Sequence, residues 1–367
     1  MNPQVVDIKE DKGLLTFTIT GLNVSLINAL RRILIAEIPT IVFRTSPYEK
    51  NEATFHVNTT RLNNEILKQR LSCIPIHITD NLSLEELAEY EVEIHKKNEG
   101  SNVEMVTTED FSIKHQAKHL SSNAIQKIFP PDALTEDYIL FARLRPKISE
   151  DVIGEELHIT AKFSIGVAAE NSAFNVVSTC AYAMTPDKTQ QYDAWAKREK
   201  ELRSNKYSKE DMGMAHKNWL LHDGKRIVVP NSFDFCLETI GVFKNRDLMK
   251  KATEIINAKL LNIKTGLADQ QIKIARSATT LENSFDIILK NEGYTIGKII
   301  ESILYEKYYE GDRSLSYLGF IKKHPHDADG LLRMAFRDSV DHTAAANLLV
   351  NVIDEATGIF AHIHSQF

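Results

Sequence analysis

The first clear signal along the chain is alternation. Leu15, Phe17 and Ile19 alternate with threonines in LLTFTIT, which predicts a half-buried strand closed by Gly21. The period then changes. Leu26, Ile27, Leu30, Ile33 and Leu34 fall on one face of a helix, with Ser25 placed as its N-cap and Pro39 as its end. TIVF (40–43) and ATFHVN (53–58) read as strands. From about 46 to 184 the pattern is mixed and polar. A short acidic helix and a strand fall in 81–95, residues 96–125 read as loop, and strands are predicted at YILFARLRP (138–146), GEELHITAKFSIG (154–166) and VVSTCAYAM (176–184). Residues 187–224, dense in Lys, Glu, Asp and Gln around Trp195 and Trp219, read as an exposed helical connector.

Order returns at RIVVPNSFDFCLETIG (226–241), followed by a helix striped with Leu248, Ala252, Ile255, Ile256 and Leu260. Residues 264–281 read as a linker. Beyond it come strand SFDIIL (284–289), a helix over 295–308, strands near 315–322 and 331–337, and a long helix over 341–364. The stripe of the long helix is Ala345, Leu348, Leu349, Val352, Ile353, Ile359, Phe360 and Ile363.

Two of these stretches superpose at an offset of 270 residues. Leu15, Phe17 and Ile19 fall on Phe285, Ile287 and Leu289; Leu26, Leu30, Ile33 and Leu34 fall on Ile296, Ile300, Ile303 and Leu304. The shared order of strand, turn, helix and two strands points to a duplicated module, each copy offering an apolar helix face to the other.

Composition narrows the function. The 367 residues allow two or three domains, and 43% hydrophobic with 26% charged residues is ordinary for a globular chain. The formal net charge of −6 argues against a free-standing DNA clamp, because phosphate neutralisation supplies most non-specific affinity. Cys73, Cys180 and Cys236 are far apart, so neither a disulfide framework nor a cysteine-rich zinc site is expected. The acidic first residues do not read as a signal peptide, and no apolar run approaches the ~18 residues of a membrane span. The sequons at Asn58 and Asn81 then read as chance.

Catalytic signatures are sparse. There is no Walker A motif, no Gly-x-Gly-x-x-Gly and no Gly-x-Ser-x-Gly. His115 and His119 are four apart, but Gln116 stands where a zinc protease needs its Glu. In KHPHDADG (323–330), His324, His326, Asp327 and Asp329 could ligate a metal, and a metal-dependent hydrolase is one alternative reading; turn-forming residues make a polar hairpin the preferred one. A DNA-binding regulator is the other alternative. Arg31 and Arg32 stand out as adjacent guanidiniums within an apolar helix, with two readings open: side chains snorkelling toward solvent, or forked contacts with a partner's carboxylates.

Five segments carry a family resemblance. INALRRILIAEIPTIVF (27–43) resembles the signature helix of the α-type subunits of multisubunit RNA polymerases, and NTTRLNNEILKQRLSCIPI (58–76) resembles the segment after it, including Arg70, Leu71, Ile74 and Pro75. SIGVAAENSAFNVVSTCAYAM (164–184) is similar to a stretch of archaeal D and eukaryotic third-subunit proteins, with Asn171 and Ser172 in place of the usual His-Ala. VPNSFDFCLETIG (229–241) resembles their Pro-x-x-Phe-x-Phe-x-x-Glu-x-x-Gly element. Residues 284–364, with GYTIGKII (293–300) and YLGFIKKHPH (317–326), are similar to the archaeal L or eukaryotic eleventh-subunit module.

The resemblance implies an α+β fold with two α-subunit-like dimerisation modules in one chain. Residues 1–45 plus 225–263 would form a D-like module, interrupted by an inserted β-rich domain (46–186) and the charged connector (187–224). Residues 264–281 would link it to an L-like module (282–367). It further implies a non-catalytic assembly subunit of a nucleotidyltransferase, the DNA-directed RNA polymerase. Many D-type subunits carry a Cys-rich zinc or iron–sulfur element in the inserted domain; this chain departs from them, having no cysteine between Cys73 and Cys180, so no metal or cofactor is expected. Its partners would be the largest and second-largest subunits and small zinc-binding subunits, with DNA met only through the complex and no membrane. Arg31 and Arg32 would face the second-largest subunit. Leu26, Leu30, Ile33, Leu34, Ile255, Ile296, Ile300, Ile303, Leu304, Leu348, Leu349, Val352 and Ile353 would form the intramolecular pairing. Fusions of this kind point to a large DNA virus, acting within the host cell and packaged in the virion.

Overall fold

A computed structural model describes residues 2–80, 82–149, 153–205 and 207–367; Asn81 of the second sequon lies outside them. In chain order, β1 (Gln4–Asp11) and β2 (Leu14–Thr20) lead into α1 (Val24–Ala36). There follow β3 (Thr40–Phe43), β4 (Ala53–Asn58), α2 (Asn64–Ser72), α3 (Leu84–Ala88), β5 (Tyr90–Lys97), β6 (Glu104–Thr107), β7 (Phe111–His115), β8 (Lys118–His119), α4 (Ser122–Ile128), β9 (Leu140–Leu144) and β10 (Glu156–Gly166). Next are β11 (Val177–Pro186), α5 (Lys188–Ser204), α6 (Lys209–Leu221), β12 (Val228–Thr239) and α7 (Asn245–Ala268). The chain closes with β13 (Ile274–Arg276), β14 (Ser284–Leu289), α8 (Tyr294–Leu304), β15 (Leu315–Ile321), β16 (Gly330–Phe336) and α9 (His342–His364).

These elements divide into two units. The first comprises Met1–Ile33, Thr179–Glu238 and Asn245–Phe367; the second comprises Leu34–Ser178 and Thr239–Lys244. Two four-stranded sheets serve the first unit, ordered β1-β2-β12-β11 and β13-β14-β16-β15. In the first of these, Leu15, Phe17 and Ile19 are buried while the intervening threonines are half-exposed, as period two requires. Gly21 ends β2 at φ +74°, where a Cβ would come within 2.7 Å of the Asn2 carbonyl oxygen, so only glycine fits.

The second unit is built on a sheet ordered β3-β10-β5-β7-β8, with β4 also paired to β10, and a separate β6-β9 ribbon. Its core gathers Phe43, Phe111, Phe129, Phe141 and Phe163 with Leu67 and Leu71 of α2.

Several elements depart from the sequence reading. Residues 96–125 are not loop: β6, β7, β8 and the start of α4 lie there, because Val106, Phe111 and Ile113 bury one face while the charges occupy the other. β1 was not anticipated; it is a largely exposed edge strand with little apolar pattern. Asn23, not Ser25, caps α1. Its Oδ1 accepts the Ser25 N–H at 2.9 Å and its carbonyl accepts the Leu26 N–H at 3.1 Å. The helix expected over 295–308 is α-helical to Leu304 and continues as a π-helical turn, Tyr305–Gly311.

Residues 264–281 are not a free linker. α7 continues to Ala268 with Ile263 and Gly266 buried, Ile272 packs over Gly266, and β13 pairs with β14. The Ala, Gln and Lys that resemble a linker are also good helix formers. Residues 187–224 hold the helical hairpin of α5 and α6, closed by Trp195 against Trp219 at 5.5 Å between ring centres. α9 has 23 residues and is long and apolar enough to cross a membrane by length and composition, yet its stripe from Ala345 to Ile363 is buried against other helices of its unit.

Candidate functional site

The first unit contains the same construction twice. An offset of 270 residues carries the starts of β2 and α1 (Leu14, Val24) onto those of β14 and α8 (Ser284, Tyr294). An offset of 97 carries the end of β12 and the start of α7 (Thr239, Asn245) onto those of β16 and α9 (Phe336, His342). The strand registers obey both offsets together. Leu15↔Leu237, Phe17↔Phe235 and Ile19↔Phe233 map onto Phe285↔Met334, Ile287↔Leu332 and Leu289↔Gly330. The helix stripes follow as well, Leu248, Ala252, Ile256 and Ile263 corresponding to Ala345, Leu349, Ile353 and Phe360, all buried.

Most residues expected in the pairing surface are fully buried: Leu26, Leu30, Ile33, Leu34, Ile296, Ile300, Ile303, Leu304, Leu349, Val352 and Ile353. Ile255 and Leu348 are only half-buried and flank their stripes. Of the four helices expected to bury against one another, α7, α8 and α9 form the main helix contacts. The closest pair is α7 with α9, and α8 packs on α9. Small buried residues explain the approach: Ala252 and Thr253 on α7, Ala345 and Ala356 on α9.

Polar contacts show that α7 and α9 run antiparallel. Thr253 Oγ1 meets His364 Nδ1 at 3.1 Å near one end, and Lys264 Nζ donates to Asp354 at 2.5 Å toward the other. Lys259 pairs with Glu292 at 3.5 Å. The C-terminal residues join the same contact set. The Phe367 ring meets Phe17 edge-on at 5.0 Å, and Gln366 Oε1 accepts the Val5 N–H at 2.6 Å. Period-based reading missed these residues because polar and terminal positions carry no hydrophobic period.

α1 reaches α8 through side chains. Arg32 Nε donates to Thr295 Oγ1 at 2.9 Å, while Asn23 and Ser25 share a polar groove with Ser302 and Tyr305. Arg31 Nε donates to Asn28 Oδ1 at 3.0 Å. Among the described residues neither guanidinium has a carboxylate partner, and Arg32 is exposed. Cys180 lies beneath α1, its Sγ 3.9 Å from the Arg31 carbonyl oxygen; burial pushes its thiol up to about 12, Arg31 opposing and Cys236 adding to the shift.

The KHPHDADG segment is the loop of the β15–β16 hairpin. Asp327 Oδ2 accepts the His324 N–H at 3.0 Å, His324 Nδ1 accepts the His326 N–H at 3.2 Å, and Asp329 Oδ1 accepts the Asn291 N–H at 2.9 Å. The first two are turn-forming bonds, and the third ties the loop to the segment that follows β14. Among the described residues, no group of three or more His, Cys, Asp or Glu is disposed to hold a metal ion.

Residues 16–260 match the RNA polymerase Rpb3/Rpb11 dimerisation domain family. Similar proteins include the DNA-directed RNA polymerases I and III subunit RPAC1 of Bos taurus, 25% identical over 51% of this chain and 56% of that protein. The DNA-directed RNA polymerase subunit Rpo3 of Methanosphaera stadtmanae is 27% identical over 49% of this chain and 61% of that protein. Rpo3 of Pyrococcus furiosus is 33% identical over 27% of this chain and 36% of that protein. The chain thus spans little more than half the length of its longer-matching relatives. With the match covering both β2–α1 and β12–α7 of the first construction, the chain belongs to the RNA polymerase Rpb3/Rpb11 dimerisation domain family.

Proposed function

We propose that this chain is a non-catalytic assembly subunit of a DNA-directed RNA polymerase, with a D-like and an L-like module paired inside one polypeptide. One observation carries the reading. The second copy of the strand–helix construction, over 284–364, lies beyond the family match at 16–260 and buries its long helix against that of the first copy. A surface formed within one chain leaves the opposite faces for large subunits. The partners are the largest and second-largest polymerase subunits and small zinc-binding subunits, with Arg31 and Arg32 turned toward the second-largest. A large DNA virus is the proposed source, and the host cytoplasm, a viral factory or the nucleus, together with the virion, the proposed locations.

Two experiments test this. Mass spectrometry of proteins co-purifying with a tagged chain should find both large polymerase subunits at equal stoichiometry; their absence refutes the assembly role. A protease site inserted between Gln270 and Gln271, both exposed, should leave the halves together after cleavage. Separation on gel filtration at micromolar concentration refutes the pairing.

A further inference from the structure

A cleft of about 670 Å³ opens in the second unit, lined by β9, by α2 and by the residues leading into β6 and α2. Four guanidiniums border it, those of Arg61, Arg70, Arg143 and Arg145, against one carboxylate among the described residues, Glu155. Their charges are not equally compensated. Arg145 is held by Glu155 at 2.5 and 2.6 Å, a carboxylate that is itself buried. Arg70 donates only to neutral carbonyls, Leu140 at 2.6 Å and Phe141 at 2.7 Å, so its charge remains. Arg61 and Arg143 are exposed and have no carboxylate partner among the described residues.

The remaining lining is apolar. Leu62 and Leu140 are half-buried, and Val103 is 51% exposed at the mouth. Met105, directly opposite Arg143 in the β6–β9 ribbon, is also exposed. Exposed aliphatic side chains interleaved with unpaired guanidiniums are unusual on a chain of net charge −6. The arrangement complements carboxylates beside an apolar anchor, since guanidinium forks grip carboxylates in two-point fashion. Nucleic acid fits less well: the one aromatic ring in the lining, Phe141, is buried and offers no face for base stacking.

We infer that this cleft docks an acidic peptide segment of another polypeptide, its carboxylates on Arg61 and Arg143 and an apolar side chain on Leu62 and Val103. The inference stands on the cleft alone and does not depend on the polymerase reading.

The test pans a displayed random dodecapeptide library against the full chain, with counter-selection on Arg61→Gln/Arg143→Gln. Both residues are exposed, so the variant should keep the wild-type melting curve. Recovered peptides should carry two or more Asp or Glu beside Leu, Ile or Phe. A synthetic copy should bind the wild type on the order of tenfold more tightly than the variant and weaken with added salt. Hydrogen exchange on the wild type alone should show new protection over 103–105 and 140–145 when that peptide is bound. Three results would each overturn the inference: no enrichment over the variant, recovered peptides without acidic residues, or protection elsewhere. Fluorescent oligothymidylate binding that is lost in the variant would instead make nucleic acid the occupant.

Discussion

Arg32 donates its Nε hydrogen to Thr295 Oγ1 across 263 positions of sequence, joining the end of α1 to the first turn of α8. The bond is exposed and neutral on the acceptor side, so it contributes about 0.5–1 kcal/mol. The rest of the guanidinium is open to a partner.

Arg32→Ala should therefore change the melting point by no more than about 2 °C, while removing a forked partner contact costs about 2–5 kcal/mol of association. Thr295→Val removes the same internal bond and leaves the charge. The expected outcome is loss of second-largest-subunit recruitment in Arg32→Ala and normal recruitment in Thr295→Val. Equal loss in both would make the arginine a fold residue. Thermal unfolding and co-purification, measured side by side, decide it.

Phe320 is clasped between two glycines. A Cβ on Gly297 would lie 2.4–2.5 Å from its ring, and one on Gly330 as little as 2.2 Å. Tyr294 meets the same ring edge-on at 5.5 Å. Gly297→Ala should destabilise by about 1–3 kcal/mol through overpacking, despite alanine's better helix propensity. Phe320→Leu in the same chain should recover part of the loss. Urea unfolding midpoints of the two variants and the double variant measure this.

Asp286 and Arg333 face each other across β14 and β16, joined by bonds of 2.6 and 2.8 Å. The Arg333 hydrogen bonds hold the Asp286 carboxyl below its ordinary range. A depressed carboxylate stabilises the fold above its unfolded pKa, and that contribution disappears as pH falls through the folded one. Because both side chains are partly solvated, the contribution is about 1 kcal/mol. Below about pH 4 the wild type should lose stability more steeply than Asp286→Asn. Parallel slopes in denaturant titrations across that range would show that the pair adds nothing.

Cys73 is exposed, whereas Cys180 is half-buried and burial pushes its thiol up to about 12. At about pH 8 the Cys180 thiolate is roughly one part in ten thousand of the total. Iodoacetamide should label Cys73 in the native chain at least about a hundredfold faster than Cys180, with Cys180 gaining reactivity in denaturant. Peptide mapping of the labelled protein reads both rates.

What the sequence disclosed follows the physics of pattern. TIVF, ATFHVN and SFDIIL coincide with β3, β4 and β14 because a strand buried on one or both faces must spell its burial in side chains. The offset of 270 was visible from apolar positions alone. The offset of 97 was not, because Thr239 and Asn245 have polar roles and their counterparts Phe336 and His342 share no chemistry with them. The stripe of α7 fades after Leu260 and 264–281 reads as linker, yet the helix runs on to Ala268 past Gly266, where the missing side chain is replaced by Ile272 folding back from the chain ahead. Lys264 with Asp354, and Phe17 with Phe367, are pairings over 90 and 350 positions that only the folded chain brings together. The arginine cleft was hidden for the same reason, its four cations coming from segments as far apart as 61 and 145.

The short turn between Ala268 and Ile274 has a consequence for how α7 meets α9. Two helices on separate chains associate by a second-order event and come apart on dilution. Here the encounter is first-order, at an effective concentration on the order of millimolar set by the connecting chain. Under the proposed pairing, exchange between molecules is suppressed, each synthesis event delivers the two halves in equal number, and neither half must survive alone with its apolar face in water.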